Sequence, residues 1–174
     1  MGSLKRKNKP TVIIFAAGVG RRLGKFGKEK PKSLLKVNDT LILETIIKKI
    51  KKMGFDKINI ILGYKYKLIL NFLRKKKLIK FNYIKINNFK KNGHAFTLYS
   101  FKEIWRKDKN SIIFLHSDII FDFSFFKNIV NSRKPNIIGI KSTKNHVLKK
   151  NSFLVTANKN NCVSSISQKK NKKF

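Results

Sequence analysis

The chain has 174 residues, 41% of them hydrophobic, and a formal net charge of +34. That length and apolar content suit one globular domain with a real core and no need for disulfide or metal staples. Its single cysteine, Cys162, excludes an internal disulfide, and no apolar run is long enough to span a bilayer. The charge invites a nucleic-acid reading, because clustered cations neutralise phosphates. The excess, however, is spread from Lys5 to Lys173 among Ile, Asn and Phe residues, which reads as a compositional bias with nonspecific polyanion binding as its consequence.

Residues 1–10 form a basic tail, in which KRKNK ahead of TVIIFAAGVG imitates a secretory signal. A buried strand feeding a glycine loop explains that stretch more fully. Gly2 opens no myristoylation pattern, since Arg6 stands where Ser or Thr is required. From Thr11 to Ala16 the residues are apolar or β-branched without polar alternation, as in a strand buried on both faces of a parallel sheet. A loop with four glycines and many cations follows, then LLKV and a turn at Asn38-Asp39-Thr40. LILETIIKKIKKM places Leu43, Ile46, Ile47 and Ile50 at helical spacing, with Thr40 as the expected cap and Gly54 as the stop.

INIILG (58–63) predicts a second buried strand, KYKLILNFLRKKK a helix, and FNYIKI (81–86) a third strand. Asn92-Gly93 opens a further helix through Phe101 and Trp105, SIIFLHSD (111–118) is the next strand, and FSFFKNIVNS the helix returning from it, with Asp122 as N-cap. This alternation predicts a Rossmann-like α/β fold, a mostly parallel sheet with helices on both faces. Beyond Pro135, NIIGIK, FLVTAN and VSSIS read as three strands of a small antiparallel C-terminal addition at one edge of the sheet. The expected organisation is a domain over 11–168, incomplete at its C-terminus, between basic tails at 1–10 and 169–174. Cys162 follows Asn160-Asn161 in a turn and reads as an ordinary thiol, compatible with a cytoplasmic location.

In an open α/β sheet an anion sits beyond the carboxyl ends of the strands, where glycine-rich loops and helix N-termini meet it. The loop after Ala16 lies in that position. Gly18 and Gly20 allow close backbone approach, Arg21 or Arg22 supplies a guanidinium fork, and Lys32 adds a point charge. A Walker A loop is excluded: only Arg21, Arg22 and Leu23 separate Gly20 from Gly24-Lys25, and Phe26 follows. The dinucleotide fingerprint fails at its third glycine, where Leu23 stands.

AAGVGRRLG followed by PKSLLKV resembles the signature of the nucleotidyltransferases that activate sugar phosphates, choline phosphate and related alcohol phosphates. The resemblance continues in order through LETIIKKIKKMGFDKINIILGY, KNGHAFTL (91–98) and FLHSDIIFD (114–122), covering residues 11 to about 125. Arg21 departs from the usual form, which has a hydroxyl residue there. The resemblance implies transfer of a nucleoside monophosphate from an NTP to a phosphorylated small molecule, with release of pyrophosphate and with Mg²⁺ as cofactor. It implies catalytic roles for Arg22, on the β- and γ-phosphates, and Lys32, on the α-phosphate. Nucleotide binding falls to Ala16, Ala17, Gly18, Gly20, Arg21, Asn92 and Gly93, with His94 possible at the base, and metal binding to Asp118.

CTP and choline-type acceptors are weakly favoured, because Asn92 to Asp122 looks closer to that branch. Family members usually run on, supplying a second metal-binding aspartate, whereas no acidic residue follows Asp122 here. The expectation is a fragment; a site completed by another chain, or nucleotide binding without turnover, are the other options. A basic nucleic-acid-binding protein on an α/β scaffold is the alternative from a different class.

Overall fold

The structure is a computed structural model that describes residues 9–87, 98, 99, 102–107, 110–132, 134, 136–140 and 153–168. The chain divides into two compact units, Met1–Ser132 and Arg133–Phe174.

The first unit is built on four parallel strands. β1 (Thr11–Ala16) lies in the middle, paired on one side with β4 (Lys57–Leu62) and on the other with β6 (Ile112–His116). β5 (Lys80–Lys85) adds beyond β4, giving the order β5-β4-β1-β6. The direction in which successive strands are added therefore reverses at the β1/β6 boundary, the place where open α/β sheets make their crevice. The strands expected from apolar runs are present, and Ile13, Ile14, Ile58, Ile60, Ile61 and Leu62 are fully buried.

Three helices pack on the sheet face that carries Val12, Ile14, Ile58, Ile60 and Leu115. α2 (Ile42–Lys52) contributes Leu43, Ile46, Ile47 and Ile50, at the spacing that puts them on one stripe. α3 (Tyr66–Lys76) contributes Ile69, Leu70 and Leu73, and α5 (Phe123–Asn131) contributes Phe126 and Val130. The other face carries Ile13, Ala17, Ile61 and Ile86, with Phe15 stacked on Phe114 at 5.7 Å. A short helix α4 (Lys102–Lys107) precedes β6, inside the helix expected from Asn92 onward; Asn92, Gly93 and His94 themselves lie outside the described residues.

Some local expectations are corrected. Thr40 does not cap α2: with Leu41 it forms β3, paired antiparallel with β2 (Lys36–Val37), and Leu41 holds the cap position without a side-chain bond. The turn between them, Asn38-Asp39, has positive φ at both residues, the pairing geometry of a tight hairpin, and this draws Thr40 into the strand. Asp122 does precede α5, but its side chain makes no capping hydrogen bond. Gly54 ends α2 as expected, at φ +82 with its N–H donating to Lys51 O.

In the second unit, β7 (Phe153–Ala157) and β8 (Val163–Gln168) make a two-stranded antiparallel sheet of their own rather than adding strands to the parallel one. Residues 136–140, expected as a strand, are not in one. The β7–β8 turn closes around Asn158, whose Oδ1 accepts from the N–H groups of Asn160 and Cys162, each at 3.0 Å.

Candidate nucleotide site

The loop after β1 is shaped by glycines and by long-range ties. A 3₁₀ turn, Arg21–Leu23, leads into α1 (Gly24–Glu29), a six-residue helix whose only buried residue is Gly27. Gly20 takes φ +70, and a Cβ there would lie 2.8 Å from Lys32 Cγ. A Cβ on Gly27 would lie 2.7 Å from the carbonyl oxygen of Gly20. The two glycines thus let α1, the loop and the Lys32 stem pack against one another. Gly18 differs: it is exposed, and a Cβ there would meet no protein atom within 4 Å. Glycine at 18 is not demanded by the protein's own packing, which leaves that backbone open to an incoming group.

α1 is anchored at its far end by the turn that follows β4. Tyr64 Oη donates to Lys28 O at 3.1 Å, and Lys65 Nζ donates to Glu29 O at 2.9 Å. These carbonyls are the orphan acceptors of a helix C-terminus, and an ammonium there complements the helix dipole. The Tyr64 N–H donates in turn to Ala17 O at 3.1 Å, so the same turn extends the β1–β4 pairing. Ala16 and Ala17 bury their methyls beneath the loop and offer a ligand only backbone.

Asp118 arrives from the other side of β1. The Ser117 N–H donates to Phe15 O at 3.1 Å, continuing the β1–β6 ladder, and Asp118 follows in a turn just past the strand rather than within it. The loop beyond is pinned because Ile119 and Phe121 pack on the core, and Lys49 of α2 donates to Phe121 O. Lys32, in the short 3₁₀ turn Lys32–Leu34, reaches across so that its Nζ lies 2.7 Å from Asp118 Oδ2. Burial works to raise the Asp118 carboxyl, but the hydrogen bond and charge of Lys32, with His116 nearby, outweigh it and hold the group below its ordinary value. The His116 ring packs against Phe15 at 5.7 Å.

The structure therefore gathers Gly18, Gly20, Lys32 and Asp118 at one end of the sheet. Arg22 is exposed on the 3₁₀ turn of the same loop. Of Arg21 only the backbone is described, and Asn92 and Gly93 are not described. Sequence reasoning missed Tyr64, Lys65, Gly27 and Lys49 as supports of the loops. The Gly63-Tyr64 pair after a buried strand was visible, but nothing local said that its hydroxyl would reach α1. Ser33, beside Lys32, is 2% exposed, and its hydroxyl has no hydrogen-bond partner among the described residues.

Paired loops at the reversal of strand order define a Rossmann-like α/β protein whose crevice is lined by glycine backbone, an ammonium and a carboxylate. The chain belongs to the nucleotidyl transferase family, whose model matches residues 11–167. It is 30% identical over 122 residues to the D-glycero-alpha-D-manno-heptose 1-phosphate guanylyltransferase of Campylobacter jejuni, covering 70% of this chain and 53% of that one. It is 37% identical over 95 residues to the choline-phosphate cytidylyltransferase of Streptococcus pneumoniae, covering 52% of this chain and 38% of that one. The chain spans about half or less of the length of these curated relatives. In fold it resembles the solved CTP:phosphocholine cytidylyltransferase of Streptococcus pneumoniae, with a TM-score of 0.66 at 22% identity over 92% of this chain and 65% of that one.

Proposed function

We propose that this chain forms the nucleotide-binding part of a Mg²⁺-dependent nucleotidyltransferase that joins a nucleoside monophosphate to a phosphorylated small molecule. The observation that carries the reading is the placement of Lys32 and Asp118 together beside the Gly18–Gly20 backbone, at the carboxyl ends of β1 and β6. A phosphate oxygen of the acceptor attacks the α-phosphorus, the α–β P–O bond breaks, and pyrophosphate leaves with the bonding pair. Both partners are polyanions, so the protein's task is to align them and to neutralise charge on the transferring group.

Backbone at Gly18 and Gly20 cradles the triphosphate, Arg22 grips its β- and γ-phosphates, and Lys32 neutralises charge on the α-phosphate. The donor set fits Mg²⁺. The described residues contain no cluster of three or more His, Cys, Asp or Glu. Mg²⁺ is nevertheless held in such sites by one or two carboxylates together with phosphates and waters. Asp118 would hold it, and the ion would supply Lewis-acid charge neutralisation between the two substrates. The cytidylyltransferases among the relatives support CTP as the nucleotide, and the heptose 1-phosphate guanylyltransferase and choline-phosphate cytidylyltransferase support a sugar phosphate or choline phosphate type of acceptor. No described helix is long and apolar enough to cross a membrane, and a nucleoside triphosphate substrate accords with a cytoplasmic location.

The test is a thermal-shift panel of CTP, UTP, GTP, ATP and dTTP, with and without Mg²⁺, on the wild type and on Lys32→Ala. A base-selective, metal-dependent shift that weakens in the variant is expected. Equal shifts with every polyanion, surviving in Lys32→Ala, would replace this reading with a general cationic surface of the kind that binds nucleic acid.

A further inference from the structure

The candidate site carries an internal ion pair. The Lys32 ammonium sits 2.7 Å from Asp118 Oδ2, and each side chain is only about one-third exposed, 32% and 34%. The pair thus lies in the mouth of the crevice rather than on open surface. The aliphatic stem of Lys32 runs directly over Gly20, where an added methyl would come within 2.8 Å of its Cγ and 3.2 Å of its Cε. That bed lies under the side chain from Cγ to Cε, with the ammonium beyond it on Asp118.

A divalent cation takes a carboxylate oxygen at about 2.0–2.1 Å. An ammonium at 2.7 Å on Oδ2 occupies one of the two carboxylate oxygens and sets a like charge beside any ion that takes the other. Asp118 therefore holds a divalent ion less well while Lys32 is on it.

We infer that Lys32 is a placeholder cation: without nucleotide it occupies Asp118 and turns away free divalent ions, and a triphosphate, by drawing the ammonium onto its α-phosphate, opens Asp118 to the metal. The inference rests on the nucleotidyltransferase reading above. Its consequence is positive coupling between nucleotide and metal, transmitted through one side chain. Such coupling is reciprocal, and typical magnitudes are about 5–150-fold. Lys32 then has two duties, one on each side of the same swing: guarding the carboxylate in the resting protein and neutralising the phosphate in the complex.

The experiment titrates the 174-residue chain with Mn²⁺ in the absence of nucleotide and reads free Mn²⁺ by electron paramagnetic resonance. Lys32→Met keeps the stem over Gly20 and removes the charge. It is expected to bind Mn²⁺ at least about tenfold more tightly than the wild type. The gain should vanish in Lys32→Met/Asp118→Asn, which locates the ion. Lys32→Arg keeps a cation on Asp118 and should stay as weak as the wild type. Lys75→Met, which removes one exposed charge from α3, should leave the affinity unchanged and so separates a local effect from the general field of the protein.

Circular dichroism on each variant checks folding, and Lys32→Gln replaces the Met variant if that one does not fold. Equal Mn²⁺ affinity in the wild type and the folded neutral variant overturns the placeholder. If the neutral variant gains Mn²⁺ affinity but the wild type shows no nucleotide-dependent thermal shift, cation exclusion by the pair stands. In that case the release by nucleotide, and with it the transferase reading, falls.

Discussion

The hydroxyl of Tyr64 donates to the carbonyl of Lys28 across 3.1 Å, joining the turn after β4 to the last turn of α1. With Lys65 on Glu29 O, it holds a helix too short to be stable alone. Tyr64→Phe keeps the ring and deletes one exposed hydrogen bond, on the order of 1 kcal/mol. The expected result is a small change in melting temperature with several-fold faster amide exchange confined to residues 24–30, measured by hydrogen–deuterium exchange. Uniform exchange across the domain would mean that α1 is held elsewhere.

Gly18 and Gly20 are expected to respond in opposite ways. Gly20→Ala forces a left-handed φ of +70 on alanine and pushes a methyl onto Lys32 Cγ. It should cost about 1–3 kcal/mol, and each kcal/mol lowers the melting temperature by about 2–4 °C in a chain of this size. Gly18→Ala meets no protein atom, so it should leave the melting temperature nearly unchanged while weakening nucleotide binding. Differential scanning calorimetry and nucleotide titration separate the two effects.

Phe126 is 1% exposed, with the Phe121 ring 5.5 Å away and the Phe55 ring 6.5 Å away. Phe126→Ala should cost about 3–5 kcal/mol, read as a shift of the urea midpoint. Because Phe121 anchors the segment that follows Asp118, a milder Phe126→Leu should keep the fold but weaken metal-dependent nucleotide binding more than metal-free binding.

Glu44 on α2 pairs with Lys48 at 2.9 Å and with Lys76 of α3 at 3.6 Å. The Lys48 hydrogen bond, with the charges of both lysines, lowers its carboxyl below the ordinary value despite the opposing effect of burial. A depressed folded-state pKa contributes stability that is complete above the unfolded-state value and lost as pH falls through the folded one. Glu44→Gln should therefore be less stable than the wild type by a constant margin above about pH 5. That margin should shrink below the ordinary value of 4.5, as followed by urea unfolding at each pH.

The elements most legible in the sequence were those whose burial leaves no choice. β1, β4 and β6 are continuous β-branched or apolar runs, and α2 carries its core stripe at helical spacing, so composition alone marked them. α1 was not legible: GKFGKE has no apolar stripe, and the helix exists because Tyr64, Lys65 and the Gly20–Gly27 approach hold it from outside. Thr40 misled because the positive φ values of Asn38 and Asp39, which make the hairpin, outrank a capping preference. At the site, a motif could nominate Lys32 and Asp118 separately. That they form an ion pair depends on β1 sitting between β4 and β6, a fact of topology that no local spacing carries.

The same topology has a meaning for synthesis. Thr11 faces Ile112 across the β1–β6 pair, whereas β1 meets β4 much earlier in the chain, with Ile13 opposite Asn59. Pairings that close longer loops form later and more slowly. A nascent chain thus acquires its cationic glycine loop, and the β4 turn that braces it, before it acquires Asp118, the acidic group that pairs with Lys32 among the described residues. Until β6 emerges, the Lys32 ammonium has no Asp118 opposite it, and the loop carries its positive charge unanswered by that carboxylate.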